Sequence, residues 1–233
     1  GKPMYITNIK IETHVEKKKF CFSCAAELDG YLWVPSDEIN GLFQICENTG
    51  ECNFITAFYK EKLYATFLYN GIVAFKRKLF LVPNNAEYIV EYEVDTGRTK
   101  YYDIYGGERK SYLKFCRYEV DGSRLYLFPF ELRDIVCLNM ESGELRQYSW
   151  NFGILPKDVI DSRYSKFFRG TKVGRTEFLP CALRNLLIKI DLDAYHSQAI
   201  EVSGSETGFI DSAYDRGVLY LMNLKGDIFT YSL

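Results

Sequence analysis

Short apolar runs recur along this chain, each about the length of a β-strand and each closed by a polar or turn-forming stretch. Four of them end in proline: Leu32-Trp33-Val34-Pro35, Leu81-Val82-Pro83, Leu127-Phe128-Pro129 and Phe178-Leu179-Pro180. These prolines are 48, 46 and 51 residues apart. A short polar stretch follows each one, and then a second apolar run: Gly41-Leu42-Phe43-Gln44-Ile45, Ile89-Val90-Glu91-Tyr92, Ile135-Val136-Cys137-Leu138 and Leu187-Ile188-Lys189-Ile190. Three copies then close on Asn48-Thr49-Gly50, Asp95-Thr96-Gly97 and Glu141-Ser142-Gly143. Proline cannot donate to a sheet ladder, so it marks the end of a strand, and its fixed φ launches the following loop.

Each unit reads as a four-stranded antiparallel meander, strands A to D. The first spans about 20–27, 31–35, 41–46 and 51–57, with Asp29-Gly30 as the A–B turn. The second spans 71–76, 78–83, 87–93 and 98–104, and the third 113–120, 124–129, 134–140 and 144–150. The fourth spans 166–173, 176–180, 185–191 and 196–202; Asp193-Ala194-Tyr195 stands where the Thr-Gly turn signature would be. The fifth holds A at 208–214, B at 218–222 and C at 227–231, with Met222 at the proline position and no strand D. Residues 4–15 alternate apolar and polar, as Ile9, Ile11 and Thr13 show, and are expected to supply that missing strand. A period in the forties built from short strands predicts an all-β, five-bladed β-propeller of four-stranded blades, closed by the N-terminal strand. The blades fall at about 19–58, 66–104, 112–150, 165–203 and 207–233, in one domain over 1–233. Residues 153–161 lie in the longest connection, the D–A connection of about 15 residues after the third blade, and read as a short helical turn or an ordered loop.

The segments ending in Tyr92-Glu93-Val94-Asp95-Thr96-Gly97, Cys46-Glu47-Asn48-Thr49-Gly50 and Asn139-Met140-Glu141-Ser142-Gly143 resemble the repeats of quinoprotein-like, YVTN-like and kelch-like propellers. The resemblance covers nearly the whole chain. It implies the fold, and it implies that the rim shared by the B–C and D–A loops is the usual binding surface. It implies no cofactor: the kelch Gly-Gly pair occurs once, at Gly106-Gly107, and the quinoprotein tryptophan docking motif is not repeated.

Composition narrows the picture. Apolar residues make up 47% and aromatics 16%, which suits pleated surfaces. A net charge of −2 gives no general basic field, so neither nucleic acid nor an anionic membrane is expected as partner. Lys17-Lys18-Lys19 and Lys76-Arg77-Lys78 read as solvated turns. No apolar run reaches the roughly 20 residues of a spanning helix, and residues 4–10 do not read as a signal peptide. The seven cysteines mostly sit in apolar runs, as expected of reduced thiols in a cytoplasmic protein. Cys21 and Cys24, three apart on a strand, point to opposite faces and cannot share a metal. Cys46 and Cys52 flank a hairpin turn, and a disulfide between them is geometrically open.

Catalytic signatures are sparse. His14 and His196 lie apart, and no metal site is expected. Glu27, Glu119 and Asp211 are the acids on the innermost strands; a glycosidic mechanism would need two carboxyls about 5–10 Å apart. The rim loops are the richer candidates. They carry Asp37 and Glu38; Asn84 and Asn85; Glu131, Arg133 and Asp134; Arg184 and Asn185; and, in the D–A loops, Tyr59 and Tyr105. That mixture suits a protein, peptide or glycan. The expected function is therefore a binding or scaffolding module, with a carbohydrate-active hydrolase or lyase acting at a central channel mouth as the alternative.

Overall fold

The computed structural model describes residues 9–10, 16–17, 20–104, 115–129, 134–149, 154–160 and 167–233. The chain divides into two compact units, Gly1–Tyr112 and Leu113–Leu233. In the first lie β1 (Ile9–Lys10), β2 (Glu16–Lys17), β3 (Ala26–Leu28), β4 (Tyr31–Pro35), β5 (Leu42–Cys46), β6 (Cys52–Thr56), β7 (Tyr69–Phe75), β8 (Lys78–Pro83), β9 (Tyr88–Glu93) and β10 (Thr99–Asp103). The second holds β11 (Phe115–Asp121), β12 (Arg124–Pro129), β13 (Asp134–Asn139), β14 (Leu145–Ser149), α1 (Lys157–Ile160), β15 (Thr171–Val173), β16 (Thr176–Pro180), β17 (Leu186–Asp191), β18 (Ser197–Glu201), β19 (Phe209–Asp215), β20 (Val218–Asn223) and β21 (Ile228–Ser232). No helix among the described residues is long and apolar enough to cross a membrane.

Four four-stranded antiparallel sheets follow chain order: β3-β4-β5-β6, β7-β8-β9-β10, β11-β12-β13-β14 and β15-β16-β17-β18. A fifth, β19-β20-β21, has three strands among the described residues. Residues 4–15 are expected from the sequence to supply its fourth strand; of these Ile9–Lys10 pairs with Glu16–Lys17 in a sheet of its own, and the others lie outside the described residues, so closure by that strand is not shown.

Each proline ends its strand B, as expected, but at one of two register positions. Pro35 and Pro180 pair with Leu42 and Leu187 of strand C. Pro83 and Pro129 sit one step further along, opposite Tyr69 and Phe115 of strand A, and the fifth-sheet residue in that place is Asn223, opposite Phe209. At this further step the other sheets have a backbone donor that closes the B–C loop: Ser36 N to Gly41 O at 2.9 Å, Cys181 N to Leu186 O at 2.9 Å and Asn223 N to Asp227 O at 3.0 Å. Proline lacks that donor, so the loops after Pro83 and Pro129 cannot close this way.

One backbone hydrogen bond recurs in all five sheets. The first residue of the C–D turn donates its amide to the carbonyl of the second A–B turn residue: Glu47 to Gly30, Val94 to Arg77, Met140 to Ser123, Leu192 to Arg175 and Leu233 to Gly217. The C–D turn itself is common to the four complete sheets. Gly50, Gly97 and Gly143 take φ of 70°, 69° and 75°, and Tyr195 takes the same place with φ 54°. The fourth copy therefore keeps the turn geometry without the glycine. Arg77 and Arg175 add ion pairs to their own turn aspartates, Asp95 and Asp193, and to the preceding sheet's Asp29 and Asp121.

Both faces of most sheets are covered, which explains the near-continuous apolar runs. In the first unit Trp33, Leu42, Ile72, Leu79, Leu81 and Val90 pack between two sheets, while Phe20, Val34, Phe43 and Ile45 cover the other face of the first sheet. In the second unit Tyr126, Phe128, Ile135 and Cys137 meet Leu179, Ile188 and Ile190, and Phe178 and Leu187 meet Phe209, Leu219 and Leu221. Each such aliphatic side chain contributes about 1.5–3 kcal/mol.

Candidate functional site

In the first unit two B–C loops grip one D–A connection, residues 57–68. Asn40 is fully buried and does much of this. Its Nδ2 donates to Phe58 O at 2.8 Å and Glu61 O at 3.1 Å, its Oδ1 accepts from Phe58 N at 3.0 Å, and its own amide donates to Leu63 O. Asp37 is also buried: its amide donates to Cys21 O, its carbonyl accepts from Phe67 N at 2.6 Å, and its carboxylate accepts from Ser23 Oγ at 2.8 Å. Burial holds the Asp37 carboxyl above its ordinary value, partly offset by that hydroxyl. From the second loop Asn84 Nδ2 donates to Phe67 O and Asn85 Nδ2 to Thr66 O, while both backbone amides donate to Leu68 and Phe67 carbonyls. Glu61 Oε1 closes the lattice by accepting from the amides of Glu87 and Tyr88.

This lattice presents aromatic rings to solvent. Tyr59 is 77% exposed, Tyr64 68% and Phe67 55%. Phe67 has φ 49°, a left-handed conformation that a bulky residue adopts only when the surroundings impose it. Tyr59 packs edge-on against Tyr101 at 4.8 Å, and Tyr88 does so at 5.6 Å. The Lys60 ammonium stands 4.9 Å and 5.0 Å from the Tyr88 and Tyr101 ring centres. The Tyr101 hydroxyl is buried without a hydrogen-bond partner, and burial pushes it up to about 12. The result is a stepped aromatic surface with one cation, on a backbone fixed from both sides.

Of the residues singled out in sequence, Tyr59 is displayed on this surface. Asp37, Asn84 and Asn85 lie beneath or beside it and hold its backbone, and Glu38 is half-buried with its amide on Ser36 Oγ. In the second unit Arg184 pairs with Asp158 of α1 at 2.7 Å, Asn185 donates to Glu201 and Val202, and Asp134 opens β13 opposite Ser149. There too a B–C loop fastens a D–A connection, whose Leu155 and Val159 are buried. Glu131, Arg133 and Tyr105 lie outside the described residues. Sequence reading passed over Tyr64, Phe67, Tyr88 and Tyr101. The only available signal was the density of aromatics after Thr56, and nothing in a phenylalanine announces a positive φ.

Two of the three innermost-strand acids lie near cations. Glu119 meets Arg117 at 2.7 Å and Lys172 at 4.0 Å, and Asp211 lies 4.0 Å from Arg169. Glu177, missed in sequence, is fully buried 2.6 Å from Arg117 Nε; burial and neighbouring Glu119 push its carboxyl up to about 7. Cys46 and Cys52 are free thiols: Cys52 pairs across the ladder with Ile45, while Cys46 bonds to Glu51 through its backbone, so the open disulfide is not formed. Cys21 and Cys24 are likewise free. Among the described residues no cluster of three or more His, Cys, Asp or Glu could hold a metal.

Comparison with solved structures decides the fold. The extracellular domain of a hybrid two-component system of B. thetaiotaomicron aligns with TM-score 0.65 at 13% identity, over 97% of this chain and 28% of that one. Virginiamycin B lyase of Staphylococcus aureus, crystallised in inactive form with quinupristin, aligns with TM-score 0.60 at 11% identity, over 91% of this chain and 70% of that one. The chain has the fold of the β-propeller repeat proteins. BamB of Moraxella catarrhalis is a further propeller match, at TM-score 0.58 and 11% identity over 92% of this chain and 60% of that one. The propeller sheets here thus span between about a quarter and three quarters of the chains they resemble. No family model and no curated protein matches the sequence.

Proposed function

We propose that this propeller chain is a non-catalytic binding module that engages a protein, peptide or glycan through the aromatic surface on residues 57–68. Phe67 carries the reading. Its left-handed backbone costs about 1–2 kcal/mol, and its ring is left in water. Three backbone contacts, from Asp37, Asn84 and Asn85, enforce that conformation. Strain maintained at an exposed aromatic is what a preformed recognition surface requires, and tyrosines beside it add area at low entropy cost. Binding is favoured over turnover because the carboxylates Glu119, Asp121 and Glu177 are each engaged by a cation.

Glycan and peptide arrays probed with the wild type and with Tyr59→Ala, Tyr64→Ala and Phe67→Gly test this. The rim variants lose array signal, while Thr96→Ala at a C–D turn keeps it. Phe67→Gly is the sharpest arm, because it relieves strain and raises the melting temperature while abolishing binding. Equal signal from all variants, or none from the wild type, sinks the reading.

A further inference from the structure

The surface on residues 57–68 has a sign as well as a shape. Two β-turns build it. Glu61 N donates to Phe58 O at 2.9 Å and Ala65 N to Lys62 O at 3.1 Å, which puts Tyr59-Lys60 at the tip of the first turn and Leu63-Tyr64 at the tip of the second. Lys60 and Lys62 are exposed. Glu61 between them is engaged by the second loop, its Oε1 accepting from the amides of Glu87 and Tyr88 at 2.7 Å and 3.3 Å. Neither lysine has a carboxylate within ion-pair distance among the described residues, whereas Arg77, Lys78 and Arg98 of the same unit each have one. The acids of the gripping loops, Asp37, Glu38 and Glu87, are buried or half-buried. A chain of net charge −2 thus displays two uncompensated cations among exposed rings. A local field of that sign selects an anionic partner.

The backbone decides between kinds of anion. The carbonyls of Phe58, Glu61, Leu63, Thr66, Phe67 and Leu68 all accept internal hydrogen bonds, and the amides of Phe58 and Phe67 donate internally. Peptides dock largely through main-chain hydrogen bonds, and this segment spends those groups on its own turns and on the two loops that hold it. What it offers a partner is side chains: the Tyr59, Tyr64 and Phe67 rings, two phenol hydroxyls and two ammonium groups. A sugar fits that set. The C–H face of its ring lies on an aromatic ring, its hydroxyls meet the phenols, and a ring carboxylate meets an ammonium. The Lys60 ammonium is placed in advance by its seat over the Tyr88 and Tyr101 rings.

We propose, on the reading that residues 57–68 are a recognition surface, that its ligand is an acidic oligosaccharide of the uronate class. Lys60 and Lys62 pair with ring carboxylates, and Tyr59, Tyr64 and Phe67 carry the sugar rings. The rings supply contact area from a backbone already fixed, so little ordering is needed on binding. The lysines supply the choice of charged over neutral sugars. Both stand in water, so their share of the affinity falls as salt is raised.

Isothermal titration of the full chain with hexasaccharides of galacturonate, mannuronate and hyaluronan, each beside its methyl ester, tests this. The ester keeps every ring and removes the charge. Saturable binding of at least one acidic hexasaccharide is expected, weakened about tenfold or more by esterification, by the paired change Lys60→Gln and Lys62→Gln, and by high salt. The ester arm uses the unaltered protein, so it stands whatever the lysine variant does to folding. No binding of any acidic hexasaccharide overturns the proposal, as does equal binding of acid and ester. A tyrosine-bearing acidic peptide that binds where the sugars do not overturns it in favour of a peptide ligand. If Tyr59→Ala, Tyr64→Ala and Phe67→Gly still lose array signal in any of these cases, the recognition surface stands and only its assigned ligand falls; if they lose none, both fall.

Discussion

Glu177→Gln separates electrostatics from packing at the most buried carboxyl of the second unit. The side chain is fully buried and its carboxyl is pushed up to about 7 from 4.5, first by burial. Gly170 leaves it room, since a Cβ there would stand 2.5 Å from Glu177 Oε1. A folded-state pKa above the unfolded value means that the native state binds the proton more tightly. The stabilising contribution is therefore complete below the unfolded pKa and is lost as pH rises through about 7. At about 1.4 kcal/mol per pKa unit, wild-type stability should fall by about 2–3 kcal/mol between pH 5 and pH 8 through this group alone. Glutamine keeps the shape and cannot ionise, and Arg117 retains Glu119 at 2.7 Å. Urea unfolding of both proteins at pH 5, 6, 7 and 8 measures the difference. The gap between variant and wild type should shift in the variant's favour with pH, most steeply between 5 and 7. Parallel stability curves across that range would refute the assignment.

Other outcomes follow from named contacts. Gly208→Ala should cost several kcal/mol, on the order of the largest single-site effects, because its Cβ would overlap the Ala182 and Cys181 carbonyls; thermal melting checks it. Lys76→Gly, at an exposed turn position with φ 55°, should raise the urea midpoint by about 0.5–1 kcal/mol equivalent. Cys46 should be alkylated by iodoacetamide ahead of Cys24 and Cys52 at pH 7.5, read by peptide mass spectrometry. Hydrogen bonds from Thr49 and Asn48 hold the Cys46 thiol below its ordinary value, while burial pushes Cys24 to about 12 and Cys52 to about 11. Thr49→Val should slow the Cys46 reaction.

Strand order was legible because the chain punctuates itself. Pro35, Pro83, Pro129 and Pro180 each end a strand B where a ladder donor is dispensable, and Gly50, Gly97 and Gly143 each sit at a positive φ. What escaped was set by tertiary contact. Tyr195 takes the glycine conformation in a turn where the amides of Asp193 and Ala194 donate to Asp191 Oδ1, as those of Glu141 and Ser142 do to Asn139 Oδ1 ahead of Gly143, and its own stack on Tyr148 is a tertiary contact that no local signature records. The one-residue offset between Pro35 and Pro83 appears only once strands are paired. The pairing of β1 with β2 has the same character, since either partner satisfies an alternating pattern. At the candidate site the right loops were legible from their polar residues. Their roles were not, because an asparagine that binds a ligand and one that fastens a backbone carbonyl look identical in sequence.

The turn-to-turn hydrogen bond joins only amide and carbonyl groups, and its carbonyl comes from Gly30, Arg77, Ser123, Arg175 or Gly217 without preference. The bond itself asks nothing of the side chain, although Gly30 and Gly217 take φ of 76° and 85° and Arg77 and Arg175 add ion pairs of their own. Side chains at the hairpin ends can therefore differ from copy to copy while the backbone junction stays the same, and copies within one chain can lose likeness to each other without losing their geometry. Fold conservation and sequence drift are decoupled at the ends of each sheet, consistent with alignments at 13% identity extending over 97% of the chain.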